Sequence, residues 1–345
     1  MLNIILAFAL SLLVVIAAMP TIVKMLEEKK MCGTDVHKPN KPEVPKGAGF
    51  ILLFAIVGSL LFSIGITTFQ AQKVVNPGLL AALVSILMAG MIGLLDDNFD
   101  FRNRTKVLLP LIASIPMMAM QVGVSTMSVP FIGTLDLGLV YPLIIVPLMM
   151  TFIIDSTNMY GGMNGLEVGL AVVNSSAIVV FMLLLPIFTG APLNQGQTDG
   201  VTIAAALLGG SIAFYIYNRY PARVLPGDVG RLPLGATIAA ALILGNMDRL
   251  AFFLYITFMI NFLMYLGYRV YVKRKNMEWV KFADVQEEGS LEVVGPFTMY
   301  WLIPWLMDGI DEKKNVRLLI ILQAIIAYSA VFLLLIGTPF GIGWI

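Results

Sequence analysis

The sequence predicts an all-α, polytopic membrane protein with about ten transmembrane helices, folded as a single domain over residues 1–345. Hydrophobic residues make up 59% of the chain and charged residues only 12%. Soluble domains carry about 25% charged residues, so this composition and the mean hydropathy of +0.89 both favour a membrane protein. The third observation is the repeated return of apolar stretches long enough to cross a bilayer.

Each predicted span is an apolar stretch that approaches the roughly 20 residues needed to cross a bilayer. The first is too long for a signal-peptide core and follows no basic segment, so we predict a true span there. The eighth is short and rich in glycine and alanine, and the proline-containing residues 294–307 are predicted to be interfacial or re-entrant. The predicted spans are 2–23, 48–69, 77–95, 107–124, 138–154, 165–189, 200–217, 232–247, 250–271 and 316–336.

The distribution of basic residues predicts the orientation. The loops between the ten predicted spans are numbered 1 to 9 in chain order. Of the 22 lysines and arginines, 20 fall in the odd-numbered loops or at their edges. Because cytoplasmic loops carry the excess of basic residues, we predict that the odd loops are cytoplasmic and that both termini lie outside. Lys73 and Arg249 are the two exceptions, and residues 125–137 on that outer side have the pattern of a small hairpin.

The counts of cysteine and histidine limit the possible disulfides and metal sites. The one cysteine, Cys32, excludes an internal disulfide and a CxxC-type metal site, and the one histidine, His37, excludes a multi-histidine centre. A metal would therefore take mainly oxygen ligands, which favours Mg²⁺ or Mn²⁺ over zinc. The net charge of +1 gives no argument for nucleic acid, and we expect no such partner.

Two adjacent carboxylates, Asp96 and Asp97, directly follow the third span in GLLDDNFDFRNRTK. They repel each other and the negative end of the helix dipole, so a cation is needed to offset them. Lys106 and a metal ion are the candidates. The alternative is a solvated helix end with a cluster of charges.

Two further segments carry polar groups at span ends. Residues 155–169, DSTNMYGGMNGLEVG, contain Asn158, Asn164 and Glu167, and the two amides can bond to a base edge or a metal. Residues 218–235, NRYPARVLPGDVGRLPLG, place Asp228 just ahead of the eighth span. A tight helix-to-helix turn and an ordinary turn aspartate are the alternatives.

The ninth loop is basic, and its cations suit either phosphate oxygens or anionic lipid headgroups. Together with the carboxylates and amides on the same side, they indicate metal-assisted chemistry on a phosphorylated substrate at the cytoplasmic face. The basic residues are Arg269, Lys273, Arg274, Lys275 and Lys281.

In their order along the chain, these motifs resemble those of the polyprenyl-phosphate N-acetylhexosamine-1-phosphate transferases, glycosyltransferase family 4. The resemblance includes GTDVHKPNKPEVPKGAG after the first span, the Asp96-Asp97 pair with Lys106, and the loop around Asp228. The stretches DDNFDFRNRTKVLLP and NMYGGMNGLEVG are most similar to the eukaryotic and archaeal branch, which uses UDP-GlcNAc and dolichyl phosphate. Lys46 stands where the family often has an acidic or small residue.

The resemblance implies roles for these residues. Asp228 and Asn158 would bind Mg²⁺ or Mn²⁺ at the diphosphate of a UDP-sugar. Lys106 would pair with a diphosphate oxygen and with Asp96, and Asp97 would orient or deprotonate a polyprenyl phosphate. The candidates for substrate binding are Asn164, at the uracil edge, with Glu167, Lys41, Arg274 and Lys281.

The implied reaction is attack of a polyprenyl or dolichyl phosphate on the phosphorus that bears the sugar, with release of UMP. UDP-GlcNAc is the expected donor, and another UDP-HexNAc or a peptide-bearing cell-wall precursor is the alternative. Membrane lipid and a second copy of the chain are further candidate partners. Two other classes remain open: an ion-coupled transporter, which should carry its acids near mid-span and often has inverted repeats not found here, and a non-catalytic scaffold, which should have lost motif residues.

Overall fold

The computed structural model describes residues 1–69, 75–129 and 133–337, and Lys73 lies outside these ranges. The described chain is mostly helical, and a π-helical turn, Tyr141–Ile145, leads into the sixth helix. The helices are α1 (Leu2–Glu28), α2 (Gly49–Phe69), α3 (Pro77–Phe99), α4 (Asn103–Ala113), α5 (Ile115–Ala119), α6 (Val146–Met159), α7 (Leu166–Thr189), α8 (Gln195–Asn218), α9 (Asp228–Leu244), α10 (Asp248–Leu254), α11 (Ile256–Lys275), α12 (Met299–Leu306) and α13 (Glu312–Gly337).

Short antiparallel hairpins occupy three of the connections. The hairpin of β3 and β4 pairs Thr126 with Asp136, and it confirms the hairpin predicted within residues 125–137. The strands are β1 (Cys32–Thr34) with β2 (Glu43–Pro45), β3 (Thr126–Val129) with β4 (Gly133–Asp136), and β5 (Asp284–Val285) with β6 (Leu291–Glu292).

In the described part of the chain, seven helices are long and apolar enough to cross a membrane, or eight if α10 and α11, bent by 52°, count as one span. This confirms a polytopic α-helical membrane protein, whereas the count of ten and the sides of the loops stay predictions. The predicted span 107–124 is split into α4 and α5 next to Pro116, a residue that cannot donate a helical hydrogen bond. The predicted span 232–247 falls on α9, which has only 17 residues.

The bend between α10 and α11 is held by a polar side chain of α13. Gln323 Nε2 donates to the Leu254 carbonyl oxygen at the break, at 2.8 Å, and to Asn174 Oδ1 at 2.7 Å. Thr257 Oγ1 donates to Gln323 Oε1 at 2.6 Å. Since an unpaired carbonyl inside a membrane protein is costly, Gln323 stabilises the bent arrangement.

The centre of the bundle is α9, which packs against α3, α6 and α8. Its residues 236–243 are at most 1% exposed, as expected for a helix that is apolar on all sides. Because α9 runs through the middle of the bundle, its first residue, Asp228, lies in the middle of one end. That end also receives the termini of α2, α3, α6, α7, α8 and α13.

Candidate active site

The candidate site lies where α3 ends and α9 begins, because glycines let the helices approach closely. A Cβ atom on Gly93 would lie 2.1 Å from the Asp228 carbonyl oxygen, and one on Gly49 would lie 2.3 Å from Gly230 Cα. The ends of α2 and α3 therefore contact the first turn of α9 directly. This packing brings Asp96 and Asp97 of α3 to Asp228.

Asp97 is fixed by two contacts. Its Oδ2 accepts from the Val229 backbone N–H at 2.9 Å, so the carboxylate sits on the positive N-terminal end of α9. Its Oδ1 lies 3.0 Å from Lys46 Nζ. Lys46 is itself held by a backbone bridge to Leu225, which joins the first loop to the loop before Asp228.

Asp96 pairs with Lys106, as predicted. Lys106 Nζ lies 2.9 Å from Asp96 Oδ1, and that oxygen also accepts from the Phe101 N–H at 3.0 Å. Burial lowers the pKa of Lys106, but bonds to Asp96 and to the exposed Asp100 outweigh burial and leave the pKa raised. Lys106 is thus a permanent cation beside a buried carboxylate.

Asp228 is the first residue of α9 and lies outside the candidate membrane spans. Of the three carboxylates Asp96, Asp97 and Asp228, it is the farthest from its cation. Its nearest cation is Arg231, whose Nη1 lies 3.8 Å away, because Arg231 Nε binds Glu167 Oε1 more closely at 2.9 Å. Burial raises the pKa of Asp228 to about 6, Arg231 opposes the rise, and the Asp97 and Asp96 carboxylates add to it. A further cation would be most favourable at Asp228.

The resemblance implies a metal ion held by Asp228 and Asn158. Among the described residues no group of three or more His, Cys, Asp or Glu side chains is spaced to hold a metal ion, so they contain no closed zinc-type site. Mg²⁺ instead binds through one or two carboxylates plus waters and substrate phosphates. Asp228, with its incompletely neutralised oxygens, fits that partial set.

Asn158 lies at the same end of the bundle as Asp228. A Cβ atom on Gly235 would lie 2.7 Å from Ile154 Cα, which fixes the register between α9 and α6. The two helices are antiparallel, and Asn158 is one turn beyond Ile154 towards the site. The predicted metal pair is thus compatible with the packing.

A second group, the Lys38 cluster, consists of Asp35, Lys38, Asn164 and Glu312. Lys38 Nζ lies 3.0 Å from Asp35 Oδ2, donates to Asn164 Oδ1 at 3.0 Å and contacts Glu312 Oε2. Glu312 Oε1 accepts from the Asn164 N–H at 2.7 Å. Asn164 Oδ1 also accepts from the Ala222 N–H at 2.8 Å. The cluster therefore ties together the first loop, the start of α7, the loop before α9 and the start of α13.

These contacts define what Asn164 can offer a ligand. Its oxygen already accepts two hydrogen bonds, so the Nδ2 amide is the group left to bind a uracil carbonyl. Its role at the uracil edge stays a prediction.

The other predicted substrate ligands lie in different surroundings. Lys41 and Arg274 are exposed, and their side chains form no ion pair within the part of the chain that the structure describes. Lys281 Nζ lies 5.0 Å from the Phe282 ring centroid, and that ring meets His37 edge-on at 5.8 Å. Burial lowers the pKa of His37 to about 4. The segment that follows α11, part of the predicted ninth loop, therefore packs on the first loop near a neutral histidine.

Five charged residues at the two groups were not predicted as site residues from the sequence: Arg231, Lys46, Lys38, Asp35 and Glu312. Arg231 follows Asp228 by one helical turn, a spacing that could have indicated it. Lys46, Lys38 and Asp35 belong to a first loop with six basic residues, and Glu312 begins the last helix. Only the contacts in the folded structure distinguish these residues from neighbouring charged residues that face solvent.

Comparison with known proteins places the chain in a family. The profile described as “Glycosyl transferase family 4” matches residues 79–246. A protein of Saccharolobus solfataricus named “Putative UDP-N-acetylglucosamine--dolichyl-phosphate N-acetylglucosaminephosphotransferase” is 32% identical over 92% of this chain and 91% of its own length.

More distant relatives carry two related names. The “UDP-N-acetylglucosamine--dolichyl-phosphate N-acetylglucosaminephosphotransferase” of Dictyostelium discoideum is 27% identical over 71% of this chain and 67% of its own. A “Phospho-N-acetylmuramoyl-pentapeptide-transferase” of Borrelia garinii subsp. bavariensis is 28% identical over 61% and 63%. With a carboxylate cluster at one end of a membrane bundle and a relative matched over nearly the full length, the chain belongs to glycosyl transferase family 4.

Proposed function

We propose that the protein transfers a sugar-1-phosphate from a UDP-sugar to a polyprenyl or dolichyl phosphate, with release of UMP. The observation that carries the proposal is the cluster of Asp96, Asp97 and Asp228 at the membrane edge, each close to a different cation. The names of the relatives support the reaction class, since those proteins are named as phosphotransferases.

The chemistry suits a displacement at phosphorus. An oxygen of the lipid phosphate attacks the phosphorus that bears the sugar, and the bond to the UMP oxygen breaks. Two anionic reactants must approach, so fixed cations that neutralise charge are the main contribution expected of the protein. Lys106, only 30% exposed, is placed to contact a diphosphate oxygen while it holds Asp96.

Asp97 acts as a positioning group in this proposal. Both of its oxygens already have partners, Lys46 and the Val229 N–H. A phosphate monoester has a second pKa of about 6, so the nucleophile is already ionised near neutral pH. A strong general base is therefore unnecessary. Asp97 instead holds the first loop and the start of α9 together.

We propose Mg²⁺, or Mn²⁺, as the cofactor, held by Asp228 and Asn158. When bound, it would neutralise charge on the donor diphosphate. Burial, Asp97 and Asp96 raise the pKa of Asp228, so a bound cation would stabilise its ionised form, which supports a metal site there. Activity should vanish with EDTA and return with Mg²⁺ or Mn²⁺.

The proposed donor is UDP-GlcNAc. The archaeal and Dictyostelium relatives are named for N-acetylglucosamine and dolichyl phosphate. The bacterial relative named for a muramoyl-pentapeptide favours the second candidate, a peptide-bearing UDP precursor. Purified protein incubated with both donors and a polyprenyl phosphate separates them, with released UMP as the readout. Turnover of the peptide-bearing donor alone would contradict the proposed sugar.

The proposed location of the site is the cytoplasmic face. The positions of 20 of the 22 basic residues in odd loops support it. With Cys32 replaced, a cysteine at the exposed Glu287 should resist an impermeant thiol reagent in intact cells, and one at Thr198 should react. The opposite labelling pattern would place the site outside and refute the orientation.

A further inference from the structure

A cavity of about 700 Å³ opens beside the Lys38 cluster, between the end of α8 and the start of α13. Asn164 forms part of its wall, but Asp96, Asp97 and Asp228 do not line it. It is therefore a lateral cavity, separate from the carboxylate cluster. Its lining includes four basic residues, Arg219, Arg223, Lys313 and Arg317.

These four cations lack acidic partners. All are exposed, and none forms an ion pair with a carboxylate of the described ranges. Arg223 stacks on the Tyr217 ring at 4.5 Å and donates to a carbonyl oxygen. Of the two acidic residues at the start of α13, Glu312 is buried and occupied by Lys38 and Asn164. Asp311 accepts from the Lys314 N–H at 2.7 Å and lies 3.9 Å from Lys314 Nζ, so it pairs with none of the four. The cavity therefore carries uncompensated positive charge.

The helix dipoles make part of this charge unfavourable for the protein alone. Arg219 follows the C-terminal end of α8, where a cation is stabilised. Lys313 lies in the first turn of α13, where the helix end is itself positive, although Asp311 caps one of its N–H groups. A bound anion would offset this unfavourable charge. A basic anchor at the membrane edge would not explain why a cation lies at a positive helix end.

Apolar side chains continue the cavity towards the membrane. Ile216 is 42% exposed and precedes Arg219 by three residues, and Ile321 is 47% exposed and follows Arg317 by four. Arg317 and Ile321, four apart, share one face of α13, and Ile216 and Arg219 both line the cavity from the end of α8. On both sides of the cavity an exposed apolar side chain therefore lies near a guanidinium that forms no ion pair, an arrangement that fits a molecule with an anionic head and an apolar body.

We propose that this cavity binds the phosphate headgroup of an anionic phospholipid. Arg219 and Arg317 contact the phosphate, Lys313 and Arg223 add to the field around it, and Ile216 and Ile321 pack against the acyl chains. The ligand is a structural lipid, distinct from the lipid phosphate that the carboxylate cluster would use as acceptor. By joining α8 to α13, it would also support the loop that holds Asn164.

The test is a titration of the purified full chain in neutral detergent with phosphatidylglycerol, read as the rise in unfolding temperature. A basic residue near an anionic headgroup is worth about 1 kcal/mol. Arg219→Gln with Arg317→Gln should therefore weaken the apparent affinity about 30-fold, and Lys313→Gln alone, the milder variant, about 5-fold. Phosphatidylcholine and inorganic phosphate should produce no comparable rise.

The matched control is Lys29→Gln with Lys30→Gln, which removes two exposed cations after the end of α1, away from the cavity. It should bind phosphatidylglycerol as the unchanged protein does. An unchanged affinity in the Arg219/Arg317 variant would overturn the proposal. So would a full response to inorganic phosphate, which would make the ligand a free anion, or displacement of phosphatidylglycerol by polyprenyl phosphate, which would make the cavity part of the acceptor site.

Discussion

Replacing Asp228 with asparagine should stabilise the metal-free protein while it removes activity. The carboxylate is 17% exposed, lies 3.8 Å from its nearest cation and has a pKa raised by burial from 3.8 to about 6. A pKa raised from 3.8 to about 6 means that the ionised carboxylate costs the folded state roughly 3 kcal/mol. Asparagine avoids most of that cost, so at pH 7.5 in EDTA the variant should be more stable by up to ~3 kcal/mol.

The stability difference between Asp228→Asn and the unchanged protein should depend on pH. Because the folded-state pKa is the higher one, the protonated carboxyl contributes stability below about pH 3.8, and that stability is lost as the pH rises through about 6. The stability difference between Asp228→Asn and the unchanged protein should fall to roughly half at pH 5. Activity of the unchanged protein should decline below pH 6 for the same reason, since protonation removes the charge proposed to bind the metal.

The assay is thermal unfolding in detergent at pH 7.5 and pH 5, with EDTA and with Mg²⁺. A difference of ~3 kcal/mol corresponds to roughly 5 °C for a chain of this size. Asp100→Asn is the control, because that carboxylate is 97% exposed and should give a much smaller change. Mg²⁺ should stabilise the unchanged protein and not Asp228→Asn. A less stable variant in EDTA, or equal stabilisation of both proteins by Mg²⁺, would refute the reasoning.

Three further predictions concern the remaining contacts. Lys106→Gln should lower kcat by roughly 10² to 10³, as expected for loss of one preorganised cation; a loss under tenfold in a steady-state assay would remove Lys106 from the reaction. Glu312→Gln should raise the KM for the UDP-sugar more than it lowers kcat, since Glu312 holds Asn164 in place; an unchanged KM would contradict that role. Gln323→Leu should destabilise the fold by about 1–3 kcal/mol, because the Leu254 carbonyl loses its partner; kcat per folded molecule should stay within about twofold, which active-site titration checks.

The sequence was sufficient to predict the membrane class and the main carboxylates. Apolar runs depend only on composition along the chain, so most predicted spans fall on observed helices. Asp96, Asp97 and Asp228 were found because charged residues next to such runs are costly and conspicuous. Their meeting at one point could not be deduced, since it depends on Gly93 and on the packing of α3 against α9.

The helix breaks and the ion pairs between distant parts of the chain could not be predicted from the sequence. The segment 107–124 is apolar enough for one helix, yet the chain divides it near Pro116. Lys38 and Glu312 are 274 residues apart, and no local pattern relates a residue of the first loop to the start of the last helix. Such pairs form only when the helix bundle brings loop ends together.

The most direct test of the proposed reaction follows the phosphorus. A UDP-sugar labelled in the sugar-proximal phosphate is incubated with purified protein, polyprenyl phosphate and Mg²⁺, and the lipid and nucleotide fractions are separated. Attack at phosphorus in a site built from Asp96, Asp97, Lys106 and Asp228 predicts label in the lipid, one UMP released per label, and return of label to UDP-sugar when UMP is added. Label recovered in UDP, with none in lipid, would contradict the proposed reaction.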